Sequence, residues 1–392
     1  MGLAILSAAL SVVGMGQLLA GWALTARFAA QPPPRSPAHP AISVLKPLHG
    51  PEPLQEEALT SVCTQDYPDY QIVFGVQRAD DPAIPVVQRL QARFPDRDIV
   101  LVQDPTFHGE NRKVGNLINM LASARHDVLV IADSDLHVQP DYLRDLAATL
   151  ALPGVGLVTT LYAGLPAMRA VPALLGATQI THGFLPGALL ARAMGRQDCL
   201  GATMCLRRET LTRIGGFHAL VDHLADDNVL GRLVAGLGLK VALAGTVPAT
   251  TVPEATMRAL FRHELRWART IRALEPGAFA GSALQYPLFW AALAIVLSGG
   301  TIWSVGMFAL AWVFRAAAGT GIDRALAPKL QRLAFGCPVW LLPGRDVLSI
   351  VVMLASYAGK RVDWRGYTLQ AAAAPPATHP APFRRAEGLT QQ

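Results

Sequence analysis

Apolar and charged positions are segregated along this chain of 392 residues. Residues 1–26 carry no charged side chain, and the first charge is Arg27. A run of that length exceeds the roughly 20 apolar residues that cross a hydrocarbon core. No basic residue precedes it, unlike the n-region of a cleaved signal peptide, so it reads as an N-terminal transmembrane anchor. Arg27, Arg35 and Lys46 follow with no acid between them, which puts the next domain on the cytoplasmic side. Residues 27–40 form a spacer stiffened by five prolines between 31 and 40. A second charge-free run covers 276–314, interrupted by Gly299-Gly300. It fits one long tilted span or two helices folded back on each other. The basic bias of 315–332 (Arg315, Arg324, Lys329 and Arg332 against Asp323) favours the hairpin. A third apolar block, 333–359, is broken by Pro343-Gly344-Arg345-Asp346, which suggests a re-entrant or interfacial segment. Residues 276–359 are thus read as a C-terminal membrane region. The tail 360–392 opens basic (Lys360, Arg361, Arg365) and becomes Ala/Pro-rich, which predicts disorder.

The stretch 41–275 has a different pattern. Short β-rich runs at 42–45, 71–76, 99–102 and 128–132 alternate with helical patterns at 83–94, 113–125 and 141–152. Strand–helix alternation predicts an α/β domain, a mainly parallel sheet with helices on both faces. In such sheets ligands bind beyond the carboxyl ends of the strands.

Composition narrows the function classes. Hydrophobic residues make up 52% and charged residues 16%, against roughly 25% charged in a typical soluble domain. The formal net charge is +6 with no dense Lys/Arg cluster, which suits an anionic membrane surface or anionic substrate better than nucleic acid. Cys63, Cys199, Cys205 and Cys337 are scattered and form no zinc or disulfide framework.

Three acidic sites fall at strand or helix boundaries: Asp80-Asp81, Asp133-Ser134-Asp135 and Asp226-Asp227. Two carboxylates spaced by one residue at a strand end suit a hard divalent cation, Mg²⁺ or Mn²⁺, sharing its shell with phosphates. Alternatively each acid caps a helix. A basic amphipathic helix is predicted over 256–273, with Arg258, Arg262, Arg266, Arg269 and Arg272 on one face. That face fits anionic lipid, a diphosphate, or both. His263-Glu264 lacks the second histidine of a zinc protease motif, because position 267 is Trp. The apolar stretch 163–197 is either core or a segment dipping toward the bilayer, and its His182 reads as a packed histidine.

The ordered motifs SVLKP (43–47), QRADDP (77–82), NRKVGNL (111–117), DSD (133–135), DCLGATMCLR (198–207), ADD (225–227), HELRW (263–267) and WRGY (364–367) resemble those of the ceramide-glucosyltransferase family of GT-A glycosyltransferases, glycosyltransferase family 21. NRKV and IADSDL (131–136) most resemble its bacterial hopanoid-biosynthesis branch. That resemblance implies a GT-A, Rossmann-like catalytic domain between membrane segments and a site at the cytoplasmic face of a bacterial inner membrane. It implies inverting transfer from a UDP-sugar, N-acetylglucosamine in that branch, to the hydroxyl of a lipid: bacteriohopanetetrol there, ceramide in the wider family. By resemblance Asp227 is the catalytic base and Asp226 its neighbour toward the acceptor. Asp133 and Asp135 hold the divalent cation. Asp80, Asp81, Lys46, Lys113 and Arg266 contact the nucleotide-sugar. Trp267 and His263 line the acceptor site. The family has Gln or Arg where this chain has His263. The competing classes are a processive polysaccharide synthase and a non-catalytic membrane scaffold that binds nucleotide.

Overall fold

The computed structural model describes residues 1–359 except Arg35 and Pro37, together with the strands Arg361–Trp364 and Tyr367–Gln370. The rest of the basic and Ala/Pro-rich tail, including Arg365 and Gly366 of the WRGY motif, lies outside the described residues.

After the N-terminal helix α1 (Gly2–Ala30), strands and helices alternate as β1 (Ile42–Pro47), α2 (Gln55–Cys63), β2 (Tyr70–Val76), α3 (Ala83–Arg93), β3 (Asp98–Gln103), α4 (Arg112–Leu121) and β4 (Val128–Ala132). Next come β5 (Leu136–His137), α5 (Tyr142–Leu150), β6 (Val155–Thr159), β7 (Ala163–Pro166), α6 (Val171–Gln179), a π-helical turn (Ile180–Phe184) and α7 (Leu185–Ala193). The domain closes with β8 (Thr203–Arg207), α8 (Arg208–Arg213), α9 (Asp226–Gly236), β9 (Lys240–Leu243), β10 (Ala249–Val252) and α10 (Met257–Leu274).

Seven strands form one sheet in the order β3-β2-β1-β4-β8-β6-β9. All its pairings are parallel except those of β8, which runs against both neighbours. The residues of β1, β2 and β4 are buried on both faces, as expected of central parallel strands. Alternate side chains feed different clusters: Val44, Phe74 and Val130 pack on one face, Leu45, Val73 and Leu129 on the other. A second sheet, β5-β10-β7, stands beside it. Gly75 of β2 is required by packing. A Cβ there would meet the Met120 sulfur at 2.3 Å, so only glycine seats α4 against the sheet. Asn116 Nδ2 then donates to the Gly75 carbonyl at 2.8 Å, which fixes the height of α4 and of Lys113 in its first turn.

After α10 come α11 (Pro276–Gly281), α12 (Pro287–Ser298), α13 (Ile302–Leu330) and α14 (Leu342–Ser356), and β11 (Arg361–Trp364) pairs with β12 (Tyr367–Gln370) beyond them. Two stretches are long and apolar enough to cross a membrane, Gly2–Ala30 and Ile302–Leu333. A third, Pro276–Gln285 with Pro287–Ser298, is bent by 69°. The chain reverses between α12 and α13 at Gly299 and Gly300, whose φ values of 70° and 77° favour glycine. Small residues bring α1 against its neighbours. Ser7 and Ser11 hydroxyls donate to the carbonyls of Trp290 and Pro287, and a Cβ on Gly14 would meet the Leu284 oxygen at 2.3 Å.

Residues 315–332 depart from the basic loop suggested by their charge. They continue α13 as far as Leu330. Arg315 is buried there, ion-paired with Asp346 and donating to the His182 carbonyl, so its charge does not end the helix. The Pro343 interruption falls in the first turn of α14, where proline is tolerated. The segment 163–197 is β7, α6, the π turn and α7; α7 packs on α1, while α6 packs on α10 and α14. His182 is fully buried, with Nε2 2.7 Å from Asp323.

Candidate active site

The chemistry-bearing residues gather at the carboxyl edge of β1 and β4, as parallel-sheet topology predicts. Asp133 follows β4 directly. Its Oδ1 lies 2.7 Å from Lys113 Nζ, and the same ammonium stands 3.8 Å from Asp226 Oδ2. One lysine therefore links the DSD turn to the first turn of α9. Asn111 sets this up: its Oδ1 caps α4 by accepting from Val114 N–H at 3.1 Å, and its Nδ2 donates to the His223 carbonyl and to Asp226 Oδ1. Burial opposes the charge on Lys113, but the carboxylates of Asp133, Asp226 and Asp227 outweigh it and raise the pKa above the ordinary lysine value.

Lys46 turns inward. Its side chain is 0% exposed and donates to the carbonyls of Asp133 at 2.9 Å and Leu136 at 3.4 Å. Burial lowers its pKa to about 8, against the opposing pull of Asp135 and Asp133. It is a strut beneath the DSD turn. Asp135 Oδ2 accepts from Thr250 Oγ1 at 2.6 Å, and Ser134 Oγ donates to Glu52 at 2.6 Å. Burial first, then the charges of Asp133 and Glu52, push Asp135 up to about 6.

Asp226 and Asp227 open α9. The sequence suggested that Asp226 caps this helix; instead it occupies the first helical position and faces Asn111 and Lys113. A helix N-terminus favours the ionised form of Asp227. Its carboxylate does accept the Asn228 N–H at 2.8 Å, yet burial and the adjacent Asp226 prevail and raise its pKa to about 7. Burial likewise raises Asp226. Gly201 makes room for this carboxylate, since a Cβ there would stand 2.8 Å from Asp227 Oδ2.

Helix α10 packs on α6, α11 and α14. Tyr162 feels the charges of Asp227, Asp133 and Asp135 and the opposing charge of Arg266 of this helix. Burial is the main reason its hydroxyl holds its proton more tightly than usual. Trp267, Tyr162 and Phe184 pack on one apolar cluster. His263 stacks edge-on to Trp267, ring centroids 4.5 Å apart, and its Nδ1 pairs with buried Glu254. Arg258 and Arg262 are exposed, and Glu264 is buried beneath them.

Asp80 and Asp81 sit one strand further out, beyond β2. Asp80 is exposed and paired with Arg78 at 2.7 Å. Asp81 is buried and accepts from the amides of Gly50 and Ala83, tying the loop after β1 to the start of α3. Glu52, Tyr162, Thr250 and Glu254 had no sequence signal of their own, and Asn111 and Gly201 fell inside the NRKVGNL and DCLGATMCLR motifs without a role assigned to them. Only the N-cap position of Asn111, immediately before a helical pattern, was available to read.

The donor set at the DSD turn fits a divalent cation. Asp133 and Asp135 supply hard oxygens, and their repulsion, joined by that of Glu52, is what a cation would relieve. Among the described residues no group of three or more His, Cys, Asp or Glu side chains converges as a self-sufficient metal site. The remaining ligands would have to come from substrate and water.

The mostly parallel sheet, with its acids at the carboxyl edge, has a GT-A-like glycosyltransferase fold. A mannosyltransferase of Pyrobaculum calidifontis, PcManGT, solved in complex with GDP-Man and Mn²⁺, shares it with a TM-score of 0.50 at 22% identity, over 91% of this chain and 99% of that one. The model of glycosyl transferase family 21 matches residues 3–375, and the chain belongs to that family. Ceramide glucosyltransferase 1 of Caenorhabditis elegans is 23% identical over 64% of this chain and 53% of its own length. Ceramide glucosyltransferase 3 of the same organism is 25% identical over 63% and 54%. The chain thus spans about half the length of these curated relatives. A ceramide glucosyltransferase of Komagataella phaffii is 31% identical over 27% of this chain and 21% of its own.

Proposed function

We propose that this chain is a membrane-bound, inverting glycosyltransferase that moves one sugar from a UDP-sugar to the hydroxyl of a lipid acceptor. The observation that carries the reading is the ring of Asp133, Asp226 and Asp227 around Lys113, in a chain with two helices long and apolar enough to cross a bilayer. The family supports glycosyl transfer, and the ceramide glucosyltransferase relatives support a lipid acceptor.

Asp227 takes the proton of the acceptor hydroxyl as its oxygen attacks the anomeric carbon. The bond from that carbon to the UDP oxygen breaks on the opposite face, and UDP departs with the electron pair. A base with a pKa of about 7 suits this task near neutral pH. Asp133 and Asp135 would hold the divalent cation, which when bound neutralises charge on the diphosphate. Lys113 and Arg266 add positive charge on the diphosphate side, Lys46 fixes the DSD turn, and Asp80 and Asp81 sit where the nucleoside would extend. Trp267, His263 and Asp226 border the acceptor. By motif resemblance the leading substrate pair is UDP-N-acetylglucosamine and bacteriohopanetetrol, with UDP-glucose and ceramide the alternative. The proposed site of action is the cytoplasmic face of a bacterial inner membrane.

The test is transfer by the purified protein with and without EDTA, and by Asp227→Asn. Loss in both supports the roles assigned; retained transfer in both removes them.

A further inference from the structure

The Pro343-Gly344-Arg345-Asp346 interruption has no part in the chemistry described so far, yet it carries two adjacent, fully buried charges of opposite sign. Arg345 forms a two-pronged ion pair with Glu264 of α10, Nη1 to Oε1 at 2.6 Å and Nη2 to Oε2 at 2.7 Å. It also donates to the Leu175 carbonyl of α6 and to Ser349 Oγ. Asp346 pairs with Arg315 of α13 at 3.3 Å and accepts the Leu288 N–H of α12 at 3.2 Å. One turn of α14 is therefore fastened to α6 and α10 by one residue and to α12 and α13 by the next. The outer face of α14 shows Val347, Val351 and Leu354, and its 15 residues span only about 22 Å.

The geometry points to Arg345 as a positioning residue that sets the rotation of α10, and through it the placement of Arg266 and Trp267. This rests on the proposed transferase reading. Glu264 and Arg266 are two residues apart, about 200° around the helix, so Arg266 lies opposite the side fastened to α14, while Trp267 lies about 60° from Glu264. A rotation of about 20° would carry a side chain 6 Å from the axis through about 2 Å. Misplacement of about 1 Å can cost 10²-fold in rate. The planar guanidinium matches both carboxylate oxygens at once, which a lysine cannot do, so the pair fixes an angle as well as a distance. Asp346 makes the other end of the bracket rigid by holding α14 to the membrane helices.

The experiment compares Arg345→Lys, Arg345→Met, Glu264→Gln and the double variant Glu264→Gln/Arg345→Met with the parent in one detergent or nanodisc preparation. Melting temperature, donor KM and kcat are read for each. Arg345→Lys is expected to melt near the parent and to lose about tenfold or more in kcat, with donor KM changed far less. Arg345→Met strands the Glu264 charge and lowers the melting temperature, and the double variant recovers most of that loss because no buried charge is left unpaired. Its kcat stays low, since nothing fixes the rotation of α10. Recovery of kcat together with melting temperature in the double variant would overturn the positioning role, as would full kcat in Arg345→Lys. If Arg345→Met does not fold, the lysine and double variants decide. A parent with no transfer activity would count against the transferase reading; an active parent with equally active variants would count against this inference alone.

Discussion

With Asp227 as the proposed base, the acid limb of the rate profile is expected to follow its titration and to move with its neighbours. With a pKa of about 7 in the free protein, its ionised fraction is about 90% at pH 8 and about 1% at pH 5. With donor limiting, so that kcat/KM reports the free protein, the rate should therefore fall about tenfold per unit well below pH 7. Two variants displace the limb in opposite directions. Asp226→Asn removes the like charge that, after burial, does most to raise Asp227, so the limb moves to lower pH by about half a unit or more. Lys113→Met removes the cation that lowers it and leaves Asp133, Asp226 and Asp227 facing one another, so the limb moves to higher pH while overall activity drops. Initial rates between pH 5 and 9 with mass-detected product read both shifts. A profile flat to pH 5, or an identical limb in all three proteins, would refute the assignment of the base to Asp227.

Further outcomes follow from the same geometry. Because folding raises Asp227 from 3.8 to about 7, its proton stabilises the fold below about pH 4, and that contribution is lost as pH rises through 7. Asp227→Asn, although expected to be inactive, should therefore melt above the parent at pH 8, by a margin that narrows as pH falls and closes below about pH 4. Gly201→Ala places a methyl 2.8 Å from the Asp227 carboxylate and should cut kcat about tenfold or more with little change in donor KM. Asp135→Asn should raise the Mn²⁺ or Mg²⁺ concentration needed for half-maximal rate by at least about tenfold, read by metal titration after chelation. Arg266→Lys keeps the charge but loses the two-pronged fork, and should raise donor KM or lower kcat by about tenfold.

Much of the fold was legible because β1, β2 and β4 are buried on both faces, and apolar runs separated by helical patterns have few other solutions. Asp133, Asp135 and Asp227 stood out because acids at strand and helix ends are conspicuous against an apolar background. Long-range partnerships were not legible. Arg345 and Glu264 are 81 residues apart, and nothing local in either segment pairs a charge in an apolar block with one in a basic amphipathic helix. The same holds for Arg315, whose charge suggested a loop but which is neutralised within the helix by Asp346 from α14. Lys46 and Lys113 looked alike in sequence. Packing turns one beneath the DSD turn as a strut and sets the other between Asp133 and Asp226.

The most direct test of the account incubates the purified protein and Mn²⁺ with UDP-N-acetylglucosamine or UDP-glucose and with bacteriohopanetetrol or ceramide, and reads the lipids by mass spectrometry. The account predicts a lipid carrying one added sugar, formed with stoichiometric UDP and absent with Asp227→Asn. A ladder of polymer, or nucleotide binding with no glycosylated lipid from any of these pairs, would contradict it.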